Sequence, residues 1–259
     1  MLRLIKLDLR NGYFGWIFLI SGLNCALSTV FYGVQDLWDG DIISFLLFGI
    51  PYAAVCTLLK SHREKESGFY RNMITAGYTK RQVFFAHVLS SALYGAVYFL
   101  FTGIPYMFFI DGYVVLTGMM IFAVVSAAVS CLYLLTENIL VVIFAALAIA
   151  AVSMSIDYCI RDPLDEPKYN IEYYDIHSGK MVKYYDVNED GKVIKEENPD
   201  YIGGTERALL SAVKCISPYS QLKELSESER NPFYVLSDAG LIVLITSGGY
   251  LIWRKKDLF

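Results

Sequence analysis

Four residues of one segment of the chain, Glu64, Glu66, Arg71 and His87, are of the types that do chemistry. Carboxylates beside a histidine are the parts of a general acid–base site, and in a membrane they would suggest a protease. Such an enzyme needs its acids and histidines buried together, with polar partners from several other apolar segments, and those segments offer almost none. His62, His87 and His177 lie in separate regions without Cys/His ligand spacing, so no metal centre is expected. The chain has no Gly-x-x-x-x-Gly-Lys-Ser/Thr, and Gly179-Lys180 is followed by Met181 in a predicted hairpin, so phosphate binding of that kind is not expected either. Glu137 and Asp238 border apolar runs, where ionisable groups are functional candidates. Asp238 stands sixteen residues before Arg254, about 24 Å along a helix, which places it at a hydrated end. Cys159 and Cys215 form a candidate disulfide that would close a loop of about 56 residues and contribute about 3–4 kcal/mol. The alternative is two separate small apolar residues. Cys25, Cys56 and Cys131 lie in apolar runs and read as packing residues.

The elements that must position these groups are set by charge-free runs. Of 259 residues, 55% are apolar, and the mean hydropathy is +0.42. Long uncharged runs alternate with charged segments, the composition of a polytopic membrane protein rather than of a soluble core. There is no basic face with interleaved aromatics, so nucleic acid is not an expected partner. Residues 1–11 alternate apolar and basic or acidic residues and read as an amphipathic helix on the membrane surface. No small-residue cleavage site follows, so a cleaved leader is not expected. Spans are expected near 13–32, 42–59 (with Pro51 kinking it), 82–110, 112–136, 138–156 and 233–253, since a helix needs about 20 residues to cross the hydrocarbon.

Between the second and third spans lies the longest polar interruption of the first 156 residues. Its six Lys/Arg (Lys60, Arg63, Lys65, Arg71, Lys80, Arg81) outnumber Glu64 and Glu66. It is expected in water, on the cytoplasmic side. Within it, Gly68 to Ile74 predicts a short helix with Phe69, Met73 and Ile74 on one side and Arg71 and Asn72 elsewhere. Gly77 breaks it and Thr79 opens the next helix as a cap. Arg3, Lys6 and Arg10 at one end and Arg254, Lys255 and Lys256 at the other agree with six spans and both termini inside. Residues 157–232 form an acidic extracellular piece with sixteen Asp/Glu and ten Lys/Arg. It reads as a β-meander over 171–197, with turns at His177–Lys180 and Asn188–Gly191. A helix over 205–216 follows, capped by Thr205. Its tyrosines, Tyr169 to Tyr201, either hold the small sheet together or contact a cargo. The fold class expected is therefore an all-α polytopic membrane protein, with a small α+β insertion at 157–232 between spans five and six.

Residues 64–87 resemble the cytoplasmic signature of the type-two ATP-binding-cassette (ABC) exporter permeases. Glu66 stands at the acid, Gly68 at the glycine, Tyr70 to Ile74 at the short helix, Gly77 at the turn, and Thr79-Lys80 at the hydroxyl–basic pair. His87 stands where a lysine is common. Phe69 replaces the usual Thr, and Gly77 the usual Pro. The order of lead helix, six spans, extracellular piece and basic end is similar as well, although the meander is larger than usual. The resemblance implies a non-catalytic transport subunit of a bacterial plasma membrane. It would work as a dimer with a second permease and with two copies of a separate ATPase that carries the ATP and Mg. By the same resemblance, the coupling segment 60–82 would contact that ATPase through Glu66, Gly68, Phe69, Tyr70, Arg71, Asn72, Met73, Ile74 and Thr75. Thr79, Lys80 and Arg81 would anchor the third span at the inner surface. An amphipathic or hydrophobic cargo, such as a toxin peptide, lipid or drug, would pass a seam lined by residues 145–153. A membrane sensor or scaffold, with the extracellular piece binding a ligand and the short helix recruiting a signalling protein, is the alternative.

Overall fold

The computed structural model describes residues 5, 19–20, 22–23, 42–107, 112–166, 168, 174–175, 180–181, 186–187, 193–194, 198, 200–226 and 231–255. The expected lead helix and first span fall almost wholly outside these residues, as does Lys256. The described elements are the helices α1 (Ile42–Glu66), α2 (Phe69–Thr75), α3 (Lys80–Met107), α4 (Gly112–Thr136) and α5 (Ile139–Asp165), then the strands β1 (Tyr174–Asp175), β2 (Lys180–Met181), β3 (Asp186–Val187) and β4 (Val193–Ile194), and finally the helices α6 (Gly204–Ile216), α7 (Pro218–Ser226) and α8 (Phe233–Trp253). Among the described residues, four helices are long and apolar enough to cross a membrane: the Lys80–Phe101 part of α3, then α4, α5 and α8.

The chain divides into two units, residues 1–150 with 221–259, and residues 151–220. In the first, α4 is central, and α1, α3 and α8 all pack on it. Its sequence explains why. It carries no charge, and Gly118, Ser126, Ala127 and Ser130 give it small buried surfaces on which other helices can approach closely. One core cluster joins Ala53, Tyr94, Tyr98, Phe99, Ile121 and Phe122. A second joins Val83, Phe84, Val88, Ala127, Cys131, Leu134 and Trp253. Cys56 and Cys131 are buried packing residues, as their positions in apolar runs suggest.

Several expectations are corrected. α1 does not end at residue 59 but runs through Pro51 to Glu66, so the start of the polar segment is helical. Lys60, Ser61 and Glu64 are buried rather than held in water. α5 continues past residue 156 to Asp165, with Arg161 and Asp165 paired at 3.4 Å one turn apart. The four strands form two separate antiparallel pairs, Tyr174↔Met181 with Asp175↔Lys180, and Asp186↔Ile194 with Val187↔Val193. Among the described residues these pairs do not join into one meander. α6 begins one residue early, with Gly203 at its N-cap in place of Thr205. Cys159 and Cys215 remain thiols, so the candidate disulfide is not formed. Asp238 is buried and not at a hydrated end: Gln221 Nε2 donates to its Oδ1 at 3.0 Å.

Candidate functional site

The short helix α2 is fixed by glycines at both ends. Gly68, at φ 70°, turns the chain out of α1 in a conformation that Cβ-bearing residues avoid. At the other end Gly77, at φ 90°, lets its N–H reach the Ile74 carbonyl at 3.0 Å, while the Tyr78 N–H reaches the Met73 carbonyl at 3.1 Å. That is the paired closure of a Schellman motif. The next helix starts on a reciprocal cap: Gln82 N–H donates to Thr79 Oγ1 at 3.2 Å and Thr79 N–H to Gln82 Oε1 at 3.0 Å. Thr79→Ala should therefore lower stability by about 1 kcal/mol, read as a lower melting temperature, with Thr79→Ser close to wild type. Arg81 lies over the Phe85 ring at 5.6 Å. Lys80 is the first residue of α3 and half-buried.

The helix turns its apolar side inward. Tyr70 is buried, and Phe69, Met73 and Ile74 pack half-buried against the second core cluster. Its outward side is polar: Arg71, Asn72 and Thr75 are exposed, and Glu66 just before it is exposed as well. The residues for which the resemblance implied an ATPase contact thus divide into an inner group that holds the helix and an outer group that a partner can reach.

Beneath α2 lies a layer of buried polar groups that join three helices. Lys60 and Glu64 of α1 pair at 3.1 Å, and Glu64 Oε2 meets His87 Nδ1 of α3 at 2.8 Å. His87 Nε2 lies 3.1 Å from Ser61 Oγ and 3.2 Å from the Tyr70 hydroxyl. Lys60 Nζ also donates to Ser90 Oγ at 3.3 Å. Relative exposures are 1% for Lys60, 2% for Glu64 and 1% for His87. Glu64 meets both neighbours at ion-pair distance, and neither of its oxygens makes a hydrogen bond of regular geometry among the described residues. The arrangement sets Lys60 against Glu64 and ties α2 to α1 and α3 through one imidazole.

Ser61, His87 and Glu64 also stand in the order of nucleophile, base and orienting acid. Ser61 is fully buried inside a helix, however, and the second carboxylate oxygen is engaged by Lys60. A substrate carbonyl has no approach to Ser61 Oγ in this conformation. Among the described residues, no group of three or more His, Cys, Asp or Glu is placed to hold a metal.

A second layer runs from buried Tyr133 out to exposed Glu66 and Lys65. His62 Nδ1 lies 2.9 Å from the Tyr133 hydroxyl, and its Nε2 3.2 Å from Glu66. Lys65 pairs with Glu137 at 2.5 Å. Glu137 takes φ 55° at the α4–α5 turn, and the next residue, Asn138, accepts the Leu140 N–H at 2.9 Å. The sequence reading missed Lys60, Ser61, Ser90 and Tyr133. Its one available signal was the spacing of Lys60 and Glu64, four apart on a helix and so on one face.

Comparison with protein-family models, curated proteins and solved structures finds no match.

Proposed function

We propose that this chain is the permease subunit of an ATP-driven ABC exporter, with six spans and both termini on the cytoplasmic side of a bacterial plasma membrane. It would pair with a second permease and with two ATPase chains, which bind ATP and Mg and drive an amphipathic or apolar cargo outward. The observation that carries this reading is the short helix α2. Its outer side is polar and accessible, and its inner side is locked to α1 and α3 by the Lys60–Glu64–His87–Tyr70 layer. A partner pushing on α2 would move two long helices together, which is how a contact differing between nucleotide states can shift a membrane conformation. A helix free to roll on its stalks would not transmit that force.

The placement of side chains selects the test. Met73 packs inward, so an acid there would damage the fold as well as any docking. Arg71→Glu with Thr75→Arg changes only exposed positions. Under mild detergent, the wild-type chain should retain an ATPase and the double variant should retain at least about tenfold less, at unchanged melting temperature. Equal retention by both, or no ATPase with either, would overturn the reading. The second result would favour the sensor or scaffold instead.

A further inference from the structure

Helix α6 presents its apolar side to the outside and its polar side to the protein. Leu209 is 63% exposed, Val213 39% and Ile216 50%, and no residue of the helix is buried. These three positions recur at four and three residues, one stripe along a helix. On the opposite side, Arg207 is half-buried and held twice: its Nη2 donates to the Leu164 carbonyl at 2.7 Å, and its guanidinium lies over the Tyr201 ring at 4.8 Å. A water-facing helix would be turned the other way.

Two bonds fix where α6 lies along α5. Arg207, near its start, reaches Leu164, close to the end of α5. Ser217, just past its end, meets Ser153 Oγ to Oγ at 2.9 Å. Ser153 belongs to the charge-free run 138–156, three residues inside its end, whereas Leu164 lies beyond it among Arg161, Asp162 and Asp165. Leu164 and Ser153 are about 16 Å apart along α5, and Arg207 and Ser217 about 15 Å apart along α6, at 1.5 Å per residue. α6 therefore runs back along α5 from its charged end to the level of its apolar part. At that level α5 exposes Val152 and Met154, one on each flank of Ser153, so exposed apolar side chains stand on both sides of the point where α6 meets α5.

We propose that α6 is a membrane-inserted interfacial helix. Its Leu209, Val213 and Ile216 stripe lies against the acyl chains of the leaflet at the Asp165 end of α5, and its Ile216 end reaches the depth of Ser153. Arg207 and Lys214, on the opposite side, stay with protein and headgroups, as in helices that lie in a bilayer interface. The assignment rests on the geometry of residues 151–220 and stands whether or not the chain is a transport subunit.

The test is photocrosslinking of the full chain in vesicles of phosphatidylethanolamine and phosphatidylglycerol. A benzophenone amino acid replaces Leu209, Val213 or, on the polar side, Ser211, and all three positions are exposed, so the probe displaces no packing. Mass spectrometry should find phospholipid adducts at 209 and 213 severalfold above those at 211. Adducts at 209 and 213 no greater than at 211, or crosslinks to a second copy of the chain, would overturn the proposal. Hydroxyl-radical footprinting of the unsubstituted chain in the same vesicles gives an independent reading. Leu209, Val213 and Ile216 should be protected there, and strong oxidation of all three would equally overturn it.

Discussion

Glu64→Gln should destabilise the folded chain by about 3–5 kcal/mol, the range for breaking a buried ion pair from one side. Gln has nearly the volume of Glu, so packing is conserved and the loss is electrostatic. Lys60, at 1% exposure, would lose the carboxylate that now lies 3.1 Å away, so its ammonium stands uncompensated or gives up its proton at a cost, and His87 Nδ1 would lose the carboxylate 2.8 Å from it. Pairing a buried charge with another is weak evidence for net stability, and this supplies the control: Lys60→Met combined with Glu64→Gln should recover most of the loss. Chemical unfolding in detergent of the two single variants and the double one gives the coupling energy directly. A Glu64→Gln loss below about 1 kcal/mol, the scale of exposed pairs, would mean that water reaches this layer and that the pair is not buried. His87→Gln tests the same joint differently: the amide keeps hydrogen bonding but not the reach of the ring, so the tie between α2 and α3 should loosen while the Lys60–Glu64 pair survives.

The features legible in the sequence are those written in short-range code. Gly68, Gly77 and Thr79 mark the ends of helices because backbone conformation and capping depend on residues within one turn, and α2 and the start of α3 follow from them. Among the described residues, the apolar runs likewise account for four helices long and apolar enough to cross a membrane. The joint beneath α2 was hidden because it depends on separation. Lys60 and Ser90, and Ser61 and His87, are far apart in the chain and meet only when α1 and α3 pack on one another. Counting six basic residues as a watery segment assumed that each one faces solvent, and Lys60 shows the failure of that assumption, since its charge is met within the fold. The extension of α5 was missed for the opposite reason. Asp157, Arg161 and Asp162 read as a break, but charge ends the apolar phase and not the helix, which continues through Pro163 to Asp165. Asp238 escaped because its partner, Gln221, comes from a separate helix.

Gly95→Ala should cost about 3 kcal/mol or more, the upper range for an overpacked core, and Gly240→Ala should be neutral or stabilising by up to about 1 kcal/mol. Both glycines lie within helices, so intrinsic propensity favours Ala equally at each, and the difference isolates packing. A Cβ at Gly95 would overlap the backbone carbonyl of Phe122 and the hydroxyl of Ser126, whereas one at Gly240 meets nothing within 4 Å. The obstacle at Gly95 is backbone of the central helix, which cannot rotate aside, so α3 and α4 would have to separate and strip contacts from Tyr98, Phe99 and Phe122. Gly249→Ala gives the intermediate case, because its obstacle is the Cys131 side chain. Adding Cys131→Ala should relieve that clash, while Ser126→Gly should relieve the Gly95 clash only in part, since the Phe122 carbonyl remains. The close approach of α3 to α4 also bears on transmission: α3 carries His87 at one end and Gly95 two turns further along, so a helix pushed away from α4 at Gly95 would carry the buried joint with it. Equal melting temperatures for Gly95→Ala and Gly240→Ala would show that the two helices do not meet so closely, and the rigid lever built on α1, α2 and α3 would lose its fulcrum.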